Sequence, residues 1–119
     1  MDLSDFENVA WLEPWRSETS QGFVEELRKE VCGKHPLFGR RAITVGKRDD
    51  CDDVLFFLPD GPDPLAMVHL TWRMRTETNR FWPRTSFFSS LDDWIENGMK
   101  RDHQECTDVR STVDEELLG

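Results

Sequence analysis

Apolar residues along this chain fall into two rhythms, and each predicts a different kind of element. Phe23, Val24, Leu27 and Val31 recur at i, i+1, i+4 and i+8, with Glu25, Glu26, Lys29 and Glu30 filling the outer side. That stripe predicts an amphipathic helix from about Glu18 to Cys32. Ser17 is its expected N-cap, Gly33 its left-handed C-terminal residue, and His35-Pro36 stops it. Further on, Arg41–Arg48, Asp53–Leu58 and Leu65–Trp72 read as three strands, the first basic at its ends. The other two are apolar on both faces, the pattern of strands covered on two sides. Pro59-Asp60-Gly61-Pro62-Asp63-Pro64 lies between them and is dense in turn formers, so these two strands form a β-hairpin. Residues 73–88 read as an irregular loop that packs down through Phe81, Trp82, Phe87 and Phe88. A second helix opens at Ser89 or Ser90, with Ser90 and Asp93 spaced like a capping box. Its apolar face is Leu91, Trp94, Ile95 and Met99, and it ends between Gly98 and Asp102.

The flanks are weaker. Residues 1–16 read as a loosely held arm, with Ser4 and Glu7 as the capping box of a short helix from about Asp5 to Leu12, closed by Pro14. Trp11 and Trp15 are the expected pins of that arm. Residues 103–119 are polar and acidic, and Val109, Val113 and Leu117 leave a weak helix and a flexible tail both open. The expected architecture is one α+β domain over residues 17–102. It has a three-stranded antiparallel sheet between an N-terminal and a C-terminal helix, in α-β-β-β-α order and two layers.

Composition narrows the setting. The chain has 119 residues and a net charge of −9. That charge argues against nucleic-acid binding, which begins with a basic face. It suits a basic protein partner drawn in by long-range attraction, although solubility alone explains it as well. No apolar run reaches the ~20 residues of a membrane span. Met1-Asp2-Leu3-Ser4-Asp5 lacks the basic and apolar parts of a secretory signal. Cys32, Cys51 and Cys106 form no CxxC pair, which argues against a disulfide framework or structural zinc and for reduced thiols in a cytoplasm. The oligomeric state, monomer or homodimer, is open.

Candidate chemistry is sparse, with no cofactor motif. His69 lies on the strand face of Leu65, Met67 and Thr71, where a histidine serves either as a base or as a hydrogen-bonded structural group. The structural role is favoured. His35, in Gly33-Lys34-His35-Pro36-Leu37-Phe38-Gly39, sits on a loop able to carry a site. Four carboxylates in Asp49-Asp50-Cys51-Asp52-Asp53 lack the spacing of an EF-hand, so no metal site is expected there. Anions around Cys51 work against a reactive thiolate. Lys34, Arg40, Arg41, Lys47 and Arg48, with Arg73, Arg75, Arg80 and Arg84, make a cationic patch if their segments abut. His35, Arg41, Arg73 and Trp82 are the expected binding residues.

Lys34-His35-Pro36-Leu37-Phe38-Gly39, Asp52-Asp53-Val54-Leu55-Phe56, Val68-His69-Leu70-Thr71-Trp72 and Trp82-Pro83-Arg84-Thr85 together resemble a family of small bacterial proteins known mainly as hypothetical proteins. The similarity covers about residues 33–95. It implies a bacterial, cytoplasmic setting but no activity; by analogy, small proteins of this kind include immunity proteins against secreted toxins. Two classes of function follow. One is a non-catalytic binding protein. The other is a small enzyme using His35 and His69 as acid and base, which requires the two rings to meet across a cleft.

Overall fold

Strands that are apolar on both faces need cover on both sides, and here the two ends of the chain share the work. The computed structural model describes residues 1–73, 76 and 79–106. A 3-10 turn (Leu3–Asn8) is followed by β1 (Trp15–Ser17), α1 (Gln21–Glu30), β2 (Ile43–Arg48), β3 (Asp53–Phe57), β4 (Leu65–His69), β5 (Arg84–Phe88) and α2 (Leu91–Trp94). The last helix runs on through a π-helical turn (Ile95–Met99) and helical residues 100–106. Among the described residues, five strands form one antiparallel meander in the order β1-β2-β3-β4-β5. The expected α+β class holds, but the sheet has five strands where the pattern predicts three.

The two added strands are edges, and edges leave faint signals. β1 is three residues long, too short for a visible period, and it takes Trp15 and Arg16 from the expected arm. β5 occupies the segment expected to be irregular loop. Its Arg-Thr-Ser-Phe-Phe is apolar only at its end, where Phe87 packs on one core and Phe88 enters the other, and among the described residues its outer edge has no strand neighbour.

Two apolar cores lie on opposite faces of the sheet, so there are three layers where two were expected. Val54, Phe56, Leu58, Ala66, Val68 and Leu70 point to α1 and meet Val24, Leu27 and Val31. Leu55, Phe57 and Leu65 point the other way, to Phe6, Trp15, Trp94 and Met99. Trp94 is edge-on to Trp15 (5.1 Å, 87°) and to Trp11 (5.8 Å, 61°). Gly46 makes room for this layer: a Cβ there would come within 2.8 Å of the Trp11 ring. It also sits where the β2–β3 register shifts.

Several expected boundaries move for local reasons. α1 starts three residues late, capped by Ser20 rather than Ser17. The Glu18 amide still donates to the Val45 carbonyl, and its carboxylate holds Arg16 and the amides of Thr19 and Ser20, so residue 18 stays with the sheet. The helix ends in extended backbone at Val31, and the left-handed glycines are Gly39 and Gly61, not Gly33. The first turn is a 3-10 helix from Leu3, boxed by Asp2 and Asp5 rather than Ser4 and Glu7. The Ser90 cap is present, accepting from the Asp93 amide, but the helix outlasts Asp102 and reaches residue 106. β3 stops at Phe57 and β4 at His69, and Trp72 has a left-handed φ of 57°. Val109, Val113 and Leu117 lie outside the described residues.

The largest departure on α1 concerns charge. Glu26 and Glu30, expected on the outer surface, are buried. Glu30 accepts hydrogen bonds from the amides of Thr71 (2.8 Å) and Trp72 (3.0 Å), which β4 no longer pairs. Burial, reinforced by a hydrogen bond with Glu26, raises its carboxyl from the ordinary 4.5 to about 7. The native chain therefore holds a proton that the unfolded chain has released between these values. The associated stability is full below about 4.5 and is lost as pH rises through about 7. Urea titrations at pH 5 and pH 8 should show the wild type losing on the order of 2 kcal/mol more than Glu30→Gln across that interval. Equal losses in the two proteins would remove this proton from the account.

Candidate functional site

Strand register decides which charged side chains share a face. Asp53 and His69 are direct cross-strand partners on β3 and β4, and Arg84 on β5 is the next partner of His69. They extend the face of Leu55 and Met67, beneath the C-terminal helix. Together with Arg48, Arg101, Asp102 and Glu105 they line a polar cleft of about 390 Å³.

Asp102 ties this cleft to the core. It is 3% exposed, accepts from Trp15 Nε1 at 2.8 Å, and lies 3.4 Å from Arg48. Arg48 also makes a two-pronged pair with Asp50 (2.9 Å each) and lies 3.8 Å from Asp53. These contacts hold its guanidinium above its ordinary pKa, the Asp50 hydrogen bonds foremost, and hold Asp50 below its own. Sequence reasoning placed Arg48 in a cationic patch and gave Asp102 no role. Trp15 and Asp102 are 87 positions apart, so no local signal joins them.

His69 lines this cleft and is half-buried, with Nδ1 2.7 Å from Asp53 Oδ1. The partner of this ring is thus a carboxylate. Cys51 stands beside the pair, its backbone carbonyl held by Lys47 Nζ at 2.7 Å. Its thiol is pushed up chiefly by burial, with the Asp53 charge adding to it. The neighbouring anions thus act as expected, but second to burial.

His35 lies on the other side of the sheet. Its Nε2 donates to the Pro83 carbonyl (2.9 Å) and its Nδ1 accepts from the Leu37 amide (3.0 Å). Both nitrogens are committed, which makes the ring a structural post. Thr85, which shares this ring's surroundings, pairs with Val68 on the α1 face, while Arg84 and His69 face away. The structure does not bring His35 and His69 together, so no acid–base pair forms between them.

His35 instead supports a ledge. Above Pro83, Phe81 is 66% exposed and Trp82 40% exposed. Arg80 stacks over Phe81 at 5.0 Å and Arg84 over Trp82 at 5.9 Å. Of the expected binding residues, Trp82 and His35 therefore meet at one place. Arg41 lies elsewhere, in a cavity of about 410 Å³ between α1 and residues 37–42. Arg73 is exposed beyond β4. Arg48 is bound into the acidic network on the far face, where Arg84 lines the same cleft, and Arg75 lies outside the described residues.

No family model, curated protein or solved structure matches this chain. Among the described residues, no helix is long and apolar enough to cross a membrane.

Removing Asp102 separates three groups at once. Asp102→Ala leaves Trp15 Nε1 buried without its acceptor and Arg48 short of a counter-charge. Chemical denaturation should show a loss of about 2–4 kcal/mol. Asp102→Asn, which keeps an acceptor for Trp15, should lose less. Equal stability of the alanine variant and wild type would show that Asp102 does not tie the C-terminal helix to the sheet.

Proposed function

We propose that this protein is a non-catalytic interaction protein, docking a partner protein through the ledge of Phe81 and Trp82. One observation carries this reading: two large aromatic side chains stand exposed on a support that is fixed from below. Pro83 is buried, and its carbonyl is gripped by His35 Nε2 and by Thr85 Oγ1. Aromatic anchors flanked by arginines are the residue types that dominate protein contacts, and a rigid base lowers the entropy lost when they are covered.

Charge adds a second element. A net charge of −9 acts at a distance and favours the approach of a basic partner, whereas the ledge acts at contact. Neutralising a basic protein, as an immunity protein does a toxin, is one form of this activity. The unpaired state of Cys32, Cys51 and Cys106 supports a reducing, cytoplasmic setting.

The test compares tagged wild-type protein with the Phe81→Ala/Trp82→Ala variant as baits in extracts of the source organism. A partner held in stoichiometric amount by the wild type should be lost from the variant. Its melting temperature should remain within a degree or two, because neither ring belongs to a core. An identical set of captured proteins for both baits would sink the ledge as a docking surface.

A further inference from the structure

Beside the polar cleft, three different donor types converge. Cys51 Sγ, a carboxylate oxygen of Asp53 and a ring nitrogen of His69 all lie within 4.8 Å of one another. We infer that Cys51, Asp53 and His69 form a binding site for a borderline divalent cation of the zinc class, with a fourth coordination position open to the cleft.

The scaffold argument is independent of the chemistry. Asp53 and His69 are opposite one another in the β3–β4 ladder, so their backbone positions are fixed by the sheet. Cys51 is two residues before Asp53, at the end of the β2–β3 turn. That turn is held by Lys47 Nζ on the Arg48 and Cys51 carbonyls (2.9 and 2.7 Å). Zinc–ligand bonds of about 2.0–2.3 Å place tetrahedral donor atoms about 3.3–3.8 Å apart. Small side-chain rotations bring donors within 4.8 Å to that spacing, and the 2.7 Å Asp53–His69 contact opens slightly as the cation takes the place of its shared proton.

Donor identity selects the metal. A thiolate with an imidazole disfavours magnesium and calcium, which take all-oxygen shells, and suits zinc or cobalt. One thiolate and one carboxylate neutralise a divalent charge. Arg48 opposes a cation from 3.8 Å on the other Asp53 oxygen, but its own charge is met by Asp50 and Asp102. Binding sends the Cys51 thiol proton to solvent, so affinity rises with pH. Three protein ligands with one open position are the arrangement of sites that hold a water or a ligand atom in the fourth.

Cobalt(II) chloride is the probe, added to metal-free Cys32→Ser/Cys106→Ser protein in which Cys51 is the remaining thiol. A thiolate-to-cobalt charge-transfer band with tetrahedral visible bands should saturate at one equivalent, and zinc should bleach it. Cys51→Ser should abolish the charge-transfer band. His69→Gln, at a half-exposed strand end, should stay folded by circular dichroism and weaken binding about tenfold or more. Absence of the band at millimolar cobalt overturns the site. So does a band of unchanged affinity in His69→Gln, which would mark capture by an isolated thiol.

Discussion

The centres of β3 and β4 have no polar face. Val54, Leu55, Phe56, Leu65, Ala66 and Val68 are all at 0% exposure, and the sheet is stable only if water is removed from both sides. At roughly 25 cal/mol per Å² of apolar area, leaving either face of such a hairpin wet would cost more than the whole margin of stability of an ordinary domain. Every other element is placed by that requirement. α1 closes one face, while the first fifteen residues and the C-terminal helix close the other.

Closing the second face from two distant segments makes a junction between them. Trp11 and Trp15 from the N-terminal side pack edge-on against Trp94, and Asp102 accepts from the Trp15 indole. Arg48 joins the same carboxylate from the sheet. The polar cleft is thus the rim of this second layer, where strand ends and the last helical turns diverge. Asp53 and His69 reach it because alternation along β3 and β4 turns them to this face, and Cys51 stands beside them at the end of the β2–β3 turn.

The opposite layer has a different character. Its buried polar groups, Glu26, Glu30 and His35, secure chain segments rather than line an opening. Glu30 stands in for the strand partner that Thr71 and Trp72 lack, and His35 fixes the carbonyl beneath the aromatic ledge. In sequence His35 is a candidate site residue, whereas Glu26 and Glu30 are expected on the outer side of the helix. His35 and Glu30 bond chiefly to backbone, His35 to the Pro83 carbonyl and the Leu37 amide and Glu30 to the amides of Thr71 and Trp72, which marks them as structural.

Sequence by itself determined the α+β class, α1, the turn between β3 and β4, the Ser90 cap and the need to cover the hairpin twice. Each of these follows from residues close in the chain: an i, i+4 stripe, a run of turn formers, or a period of two. It also placed Leu65 and Met67 opposite Ala66 and Val68, because strand alternation is local. Tertiary structure alone decided the edge strands β1 and β5, the burial of Glu26 and Glu30, the knot of Trp15, Arg48 and Asp102, and the separation of His35 from His69. Those depend on which side of the sheet a distant segment packs against. A short edge strand or a buried carboxylate carries no periodic signal, since its partner is set by the path of the chain and not by its neighbours in sequence.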